Sequence, residues 1–404
     1  MTQFSEIMNG VKKVLLVEPK FIGKKKTRQK NYSIAFVKIG SYCQQNGIEF
    51  EYMRLDDNKK ILPKIDPEVI FISSLFTYQC DIVKQVVDIC KEYFPEAKTV
   101  VGGIYANLMP EHCREYVNPD YVISSVIDEV ENIPLDYSFV DSDFQMIQLS
   151  RGCTKKCKFC AVHHIEPEYQ PKSTFINGVQ KRRLLFLDNN FLANPHIDEI
   201  FDELDELKMY QKITNWEAVS GVDIDYLLHK PELAKRMKRS GCINLRIAWD
   251  GSIKKAHRIK KAIDLFEEAG FDISRIRVFM LYNYRIPFEE CEKKRALCYK
   301  WGVRVYQCRY IPITATSDGF NQRKKQTSED YYIHDGWTDE QVKLFNINCR
   351  NHFISIYNKS CFYSKTLHTN KNTSLSKNEL SRLSFDEAKE LFPDAWNPAV
   401  EHLK

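Results

Sequence analysis

Apolar runs and helically spaced apolar positions alternate along the first third of the chain. VKKVLLVEP (11–19) is an apolar run closing on proline and predicts a buried strand. SIAFVKIGSYCQQNG (33–47) places its apolar side chains at helical spacing and stops at Gly47. EVIFISSL (68–75) predicts a second buried strand, residues 81–94 a second helix, and KTVVGG (98–103) and YVISS (121–125) two further strands. This alternation predicts a parallel sheet with helices on both faces. The fold is then doubly wound, with its ligand crevice at the carboxyl ends of the strands.

A second series begins near residue 144. Strands are expected at 144–150, 183–188, 216–221, 243–250, 276–283 and 303–310, and helices at 195–211, 231–240, 254–269 and 287–301. Strand starts recur at roughly thirty-residue intervals, the size of one strand–helix unit. Six units fall short of the eight in a complete barrel, which takes about 250 residues. They predict a partial (β/α)6 barrel of the TIM type. Residues 311–404 are polar and aromatic without a repeat and read as a C-terminal cap or extension. The expected class is α/β, with a Rossmann-like domain over 1–143, the partial barrel over 144–310 and the extension over 311–404.

Composition adds limits. The chain has 404 residues, 43% hydrophobic and 28% charged, with a net charge of +5, as expected of a globular protein with no general preference for nucleic acid. No apolar run reaches about 18 residues and the N-terminus lacks a signal-peptide core, so a cytoplasmic location without membrane attachment is expected. GKKKTRQK (23–30) is densely basic and follows the first strand. It reads either as a solvated loop or as a contact for phosphate or nucleic acid, although it lacks interleaved aromatics.

Thirteen cysteines in a reducing compartment point away from disulfides. Most, such as Cys43, Cys80 and Cys90, stand alone in apolar stretches and read as small buried hydrophobes. Cys291, Cys298, Cys308, Cys349 and Cys361 are widely spaced and weigh against a second cluster. RGCTKKCKFCAV (151–162) differs: Cys153, Cys157 and Cys160 fall on the loop after the first barrel strand, where barrel active sites lie. Three thiolates can hold three irons of a 4Fe–4S cube and leave the fourth open. The alternative is a zinc site completed by a distant ligand such as His163 or His164, but no second CxxC pair is present.

The Cx3CxFC motif, with Ser150-Arg151-Gly152 before it and Phe159 within it, resembles the radical S-adenosylmethionine (SAM) superfamily. A Rossmann-like domain ahead of the barrel resembles its cobalamin-binding subclass, and the similarity spans about residues 11–310. The resemblance implies a 4Fe–4S cluster on Cys153, Cys157 and Cys160 whose open iron chelates SAM. One electron then cleaves SAM to a 5′-deoxyadenosyl radical. Position by position, it implies SAM contacts from Phe159, from Asp188, Asn189 and Asn190 after the second barrel strand, from Ser220 after the third, and from Arg246 and Trp249 on the fourth. Arg246 reads equally as an internal ion pair to Asp250, and Trp249 and Tyr282 equally as core. Tyr282, Arg309 and Tyr310 are the candidates to face substrate.

In the first domain, Glu18-x-Lys20-x-x-Gly23 occupies the spacing at which many cobalamin domains carry DxHxxG, so the cobalt-ligating histidine is missing. Ser73, Ser74 and Thr77 resemble the hydroxyl cluster for the nucleotide tail of cobalamin. Gly102, Gly103 and Ile104 resemble the glycine turn that lets a backbone approach that tail. The function implied is a cobalamin-dependent radical SAM C-methyltransferase acting on an unactivated sp3 carbon of a small molecule or protein side chain, with an electron donor such as ferredoxin or flavodoxin as partner. The alternatives are a non-methylating rearrangement or cyclisation, and a non-enzymatic iron–sulfur or cobalamin sensor.

Overall fold

The computed structural model describes residues 2–20, 32–55 and 63–369, together with 378–379, 383, 387 and 390–391. The basic run at 23–30 lies outside these residues. The N-terminal part comprises α1 (Gln3–Met8), β1 (Lys13–Pro19), α2 (Ile34–Gln45), β2 (Glu49–Leu55), β3 (Val69–Ser74), α3 (Cys80–Tyr93), β4 (Lys98–Gly103), α4 (Ile104–Leu108), the single turn α5 (Pro110–His112) and β5 (Tyr121–Val122). The strands form one parallel sheet in the order β2-β1-β3-β4-β5.

The continuous apolar run of β1 is explained by burial on both faces. Successive side chains of a strand point to opposite sides. Leu15 and Val17 therefore join Ile70, Ile72 and Val101 against Val83, Val86 and Val87 of α3. Val14 and Leu16 join Val69, Phe71 and Val100 against α1 and the Phe36 and Ile39 side chains of α2. The chain reverses its winding between β1 and β3, which places a crevice at their carboxyl ends. β2 has no counterpart among the predicted strands: EFEYMRL is an edge strand, exposed enough to carry charged residues in place of an apolar run.

The second part comprises β6 (Gln145–Ile147), β7 (Ser150–Arg151), α6 (Val162–Ile165), β8 (Gln170–Pro171), β9 (Arg183–Phe186), α7 (Ile197–Met209), β10 (Asn215–Ala218), α8 (Ile224–His229), α9 (Leu233–Arg239), β11 (Arg246–Ala248), α10 (Ala256–Glu268), β12 (Arg277–Tyr282), α11 (Phe288–Lys300), β13 (Arg304–Arg309) and α12 (Asp339–Thr369). Two parallel three-stranded sheets, β6-β9-β10 and β11-β12-β13, are joined by parallel bridges from Trp216 to Cys242 and from Val222 to Ile247. One large apolar core lies under α7 to α12, centred on Phe186, Trp216, Ile247, Phe266, Val278 and Phe345.

The first strand of this series is shorter than its apolar run. It breaks after Ile147, and Ser150–Arg151 then pairs antiparallel with Gln170–Pro171, so the cysteine loop leaves from and returns to one short ladder. The C-terminal region is more regular than its composition indicates, since α12 packs on β13 and α11. A further apolar cluster joins the two parts: Tyr32 and Val37 pack with Tyr137, Phe144, Met146 and Leu185. The buried Tyr32 hydroxyl donates to the Phe144 carbonyl (3.3 Å) and accepts from the Met146 amide (2.8 Å).

Candidate functional site

The cysteine loop is held at several points. Gly152 has φ +70°, and a Cβ there would stand 2.2 Å from the Glu168 carbonyl oxygen, so only glycine fits. Its amide donates to Glu166 Oε2 (2.7 Å). Arg151 bridges Glu166 and Glu131, and Glu131 also receives the buried Lys38 ammonium of α2 (2.7 Å). Lys155, between the first two cysteines, reaches Asp223 (2.6 Å) and Asp225 (3.2 Å) at the start of α8.

The three cysteines on this loop are half-buried free thiols. Burial and the charges of neighbouring thiols and of Asp250 push those of Cys157 and Cys160 up, so metal loading must release their protons. Among the described residues no group of three or more His, Cys, Asp or Glu side chains converges on a single metal ion. His163 and His164 stack on each other at 4.1 Å. A cubane places each thiolate on a different iron and does not require such convergence. Three thiols on one loop are a donor set that could hold three irons of such a cube.

The residues expected to touch SAM divide into two groups. Phe159 sits half-buried on the loop and meets Tyr284 edge-on at 6.0 Å. Asn189 donates to the Gly152 carbonyl (3.1 Å) and Asn190 to Asp223 (3.2 Å), and the buried Asn190 Oδ1 has no hydrogen-bond partner among the described residues. Ser220 is exposed after β10.

Asp188 has a different task from the one expected. It is 1% exposed and accepts from the Leu149 amide (3.1 Å) and the Ser150 hydroxyl (2.6 Å), tying the end of β6 to the strand beside it. Burial pushes its carboxyl up to about 6. Arg246 pairs with Glu217 (2.8 Å) on the neighbouring strand, not with Asp250. Trp249 and Tyr282 lie in the core: Trp249 stacks on Trp301 at 5.7 Å, and Tyr282 packs on Phe345 at 5.0 Å. Arg309 pairs with Asp318 and lies over the rings of Phe320 and Tyr331, while Tyr310 stays half-buried at the mouth.

Sequence reasoning passed over Asp250 as a site residue. It follows β11 as Asp188 follows β9, with one carboxylate oxygen accepting from the Leu281 amide (3.2 Å), and its charge reaches Cys157 and Cys160. An acid closing an apolar strand was the available signal. Cys291, Cys298 and Cys349 are fully buried in the core and Cys308 is half-buried.

At the carboxyl end of the N-terminal sheet, Ser74 donates to the Gly102 carbonyl (2.8 Å) and accepts from the Ala106 amide (3.2 Å). Thr77 is also buried, whereas Ser73 is half-buried. Gly103 has φ +105°, and a Cβ there would meet the Ser74 carbonyl oxygen at 2.2 Å. Glycine is therefore required at 103 for the close approach of this turn to the end of β3. Leu75, Phe76 and Ile104 are exposed around it, an apolar rim at the ends of β3 and β4. Glu18 is occupied: it accepts from Tyr52, the Ser33 amide (3.3 Å) and Arg54 (3.4 Å). Lys20 is exposed beyond it. The short helix α4, which carries Ile104, packs against α6, the helix that follows the cysteines.

A five-stranded parallel sheet with a glycine turn at the carboxyl end of an interior strand is the form of a Rossmann-like domain. Residues 25–132 match the model of the B12 binding domain, and the N-terminal region accordingly carries a B12-binding domain. A cytidylyl-2-hydroxyethylphosphonate methyltransferase of Streptomyces wedmorensis is 36% identical over 67 residues. That stretch is 17% of this chain and 12% of the relative's length. Among the described residues no helix is long and apolar enough to cross a membrane.

Proposed function

We propose that the protein is a cobalamin-dependent radical SAM methyltransferase acting on an unactivated sp3 carbon of a small molecule. The observation that supports this reading is the packing of α4, which follows Gly103, against α6, which follows the cysteines. On this reading residues 144–310 are a partial radical SAM barrel. Cys153, Cys157 and Cys160 hold a 4Fe–4S cluster with one open iron, and a ferredoxin or flavodoxin delivers electrons. When bound, the cluster supplies the electron that cleaves SAM and the corrinoid supplies the methyl group.

The chain's own residues bind and orient. Arg151 and Lys155 fix the loop to Glu131, Glu166 and Asp223, so the thiols are set before any metal arrives. Asp250 offers the SAM ammonium a carboxylate beside the cluster. Ser73, Gly102 and Gly103 admit the cobalamin tail, and Leu75, Phe76 and Ile104 seat the corrin on an apolar rim. The sequence from Glu18 to Tyr32 contains no histidine and so offers cobalt no imidazole. The relative's name supports methyl transfer.

The test is anaerobic reconstitution of the full chain with iron, sulfide and hydroxocobalamin. The expected result is a cluster and a bound corrinoid by visible absorbance, and 5′-deoxyadenosine from SAM under strong reductant. Cys157→Ala should lose cluster absorbance and deoxyadenosine together, whereas Gly103→Ala should keep the cluster and lose the corrinoid. Deoxyadenosine formation that survived Cys157→Ala would sink the reading.

A further inference from the structure

A contiguous aromatic wall stands at the carboxyl ends of β12 and β13. Ring centres lie 4.4 Å apart for Tyr284 and Tyr310, 5.4 Å for Tyr284 and His334, and 5.5 Å for Tyr310 and Tyr332. Phe159 of the cysteine loop touches the same Tyr284. The rings come from three separate segments, and a buried residue joins two of them. Asn283, 0% exposed with φ +56°, donates its side-chain amide to the Tyr332 carbonyl (2.8 Å) and accepts from the His334 amide (3.0 Å). Tyr332 and His334 are further tied by a hydroxyl–imidazole hydrogen bond (2.8 Å).

This wall is not core. Tyr284, Tyr310, Tyr332 and His334 are all half-buried, and none belongs to an apolar cluster of the molecule. The Tyr284 and Tyr310 hydroxyls make no hydrogen bond among the described residues. Arg285, exposed, lies over the Tyr284 ring at 5.6 Å and has no carboxylate partner among the described residues. Ring faces held at a site mouth offer stacking to a planar group, and an adjacent free guanidinium offers charge to phosphoryl oxygens. A cationic guest is disfavoured because Arg285 already occupies the cation–π position. A simple aliphatic acid would use Arg285 and leave the rings idle.

We propose that the wall of Tyr284, Tyr310 and Tyr332 receives the base of a nucleotide-linked substrate, Tyr310 stacking on it and the inclined rings of Tyr284 (44°) and Tyr332 (76°) flanking it, while Arg285 meets its phosphoryl group. The inference deepens the reading above by naming the substrate class, and it rests on that reading for the reaction but not for binding. SAM carries the other available base, so competition separates the two sources.

The experiment is equilibrium dialysis of labelled cytidine 5′-monophosphate against the reconstituted full chain with saturating SAM present. Binding is expected, with ribose 5-phosphate weaker by roughly tenfold or more. Tyr310→Leu and Arg285→Gln should each weaken nucleotide binding by about tenfold, while Tyr310→Phe, which keeps the ring, retains it. SAM affinity should stay within about twofold, since the substituted groups face the substrate. No nucleotide binding, equal binding of ribose 5-phosphate, or displacement of the nucleotide by SAM would overturn the assignment. Deoxyadenosine formation from SAM alone, read on the same samples, reports separately on the radical reading: its absence alongside nucleotide binding defeats that reading and leaves this one standing.

Discussion

Asp188 shows how a correctly located residue can serve another purpose. Its position after an apolar strand marks it as a crevice residue, yet its carboxylate points inward and caps the broken end of β6 through Leu149 and Ser150. Its titration has a definite sign. Burial raises the folded-state value from 3.8 to about 6, so the unfolded chain releases its proton first as pH rises. The contribution to stability is intact below 3.8 and is lost as pH climbs to about 6, by roughly 3 kcal/mol. Asp188→Asn removes this dependence. The difference in unfolding free energy between wild type and variant, followed by urea titration, should change across that window and be flat above it. A difference independent of pH would show that the carboxyl is not perturbed.

Among the elements, the parallel strands other than β2 fall on their apolar runs, because strands covered on two faces are built mostly of apolar residues. The elements that escaped are those without such a run. β2 is an edge strand whose exposed positions are charged. α12 lies in a polar, aromatic stretch, and its buried stripe at Val342, Phe345, Cys349, His352 and Ile356 has helical spacing but mixes in a cysteine and a histidine, so it does not stand out as an apolar run. Phe345 packs against Tyr282 of β12, so the helix belongs to the core and is not a detachable cap. Phe345→Ala should cost about 3–5 kcal/mol through the cavity it leaves. Chemical denaturation checks this, and a loss under about 1 kcal/mol would mark α12 as peripheral.

At the scale of the whole molecule, the two halves meet through charge as well as apolar packing. Lys38 of α2 and Arg151 of the cysteine loop share Glu131, which lies on the chain between the two sheets. Lys38 is 5% exposed at its side chain, so removal of the shared carboxylate strands a buried cation beside a second one. Glu131→Gln should therefore destabilise the protein by about 3–5 kcal/mol. Because the same carboxylate holds Arg151 next to Gly152, the variant should also take up less iron on reconstitution. Unchanged stability would mean that the network is solvated and of little weight.

The sequence by itself determined the alternation of strands and helices, the two strand series in order along the chain, and the cysteine triplet on a loop after a strand. These are local facts: burial on two faces forces apolar runs, and three cysteines close in sequence necessarily share one loop. Only the tertiary structure decided which polar groups are free. Glu18, Asp188, Arg246 and Arg309 all carry the right chemistry for a ligand, but each is taken by a partner: the first three by groups about thirty or more residues away, Tyr52, Leu149 with Ser150, and Glu217, and Arg309 by Asp318 on the following loop. Only folding brings Asp250 within electrostatic reach of the thiols and gathers Tyr284, Tyr310 and Tyr332 into one wall, because such neighbours are set by strand register and loop return and not by spacing along the chain.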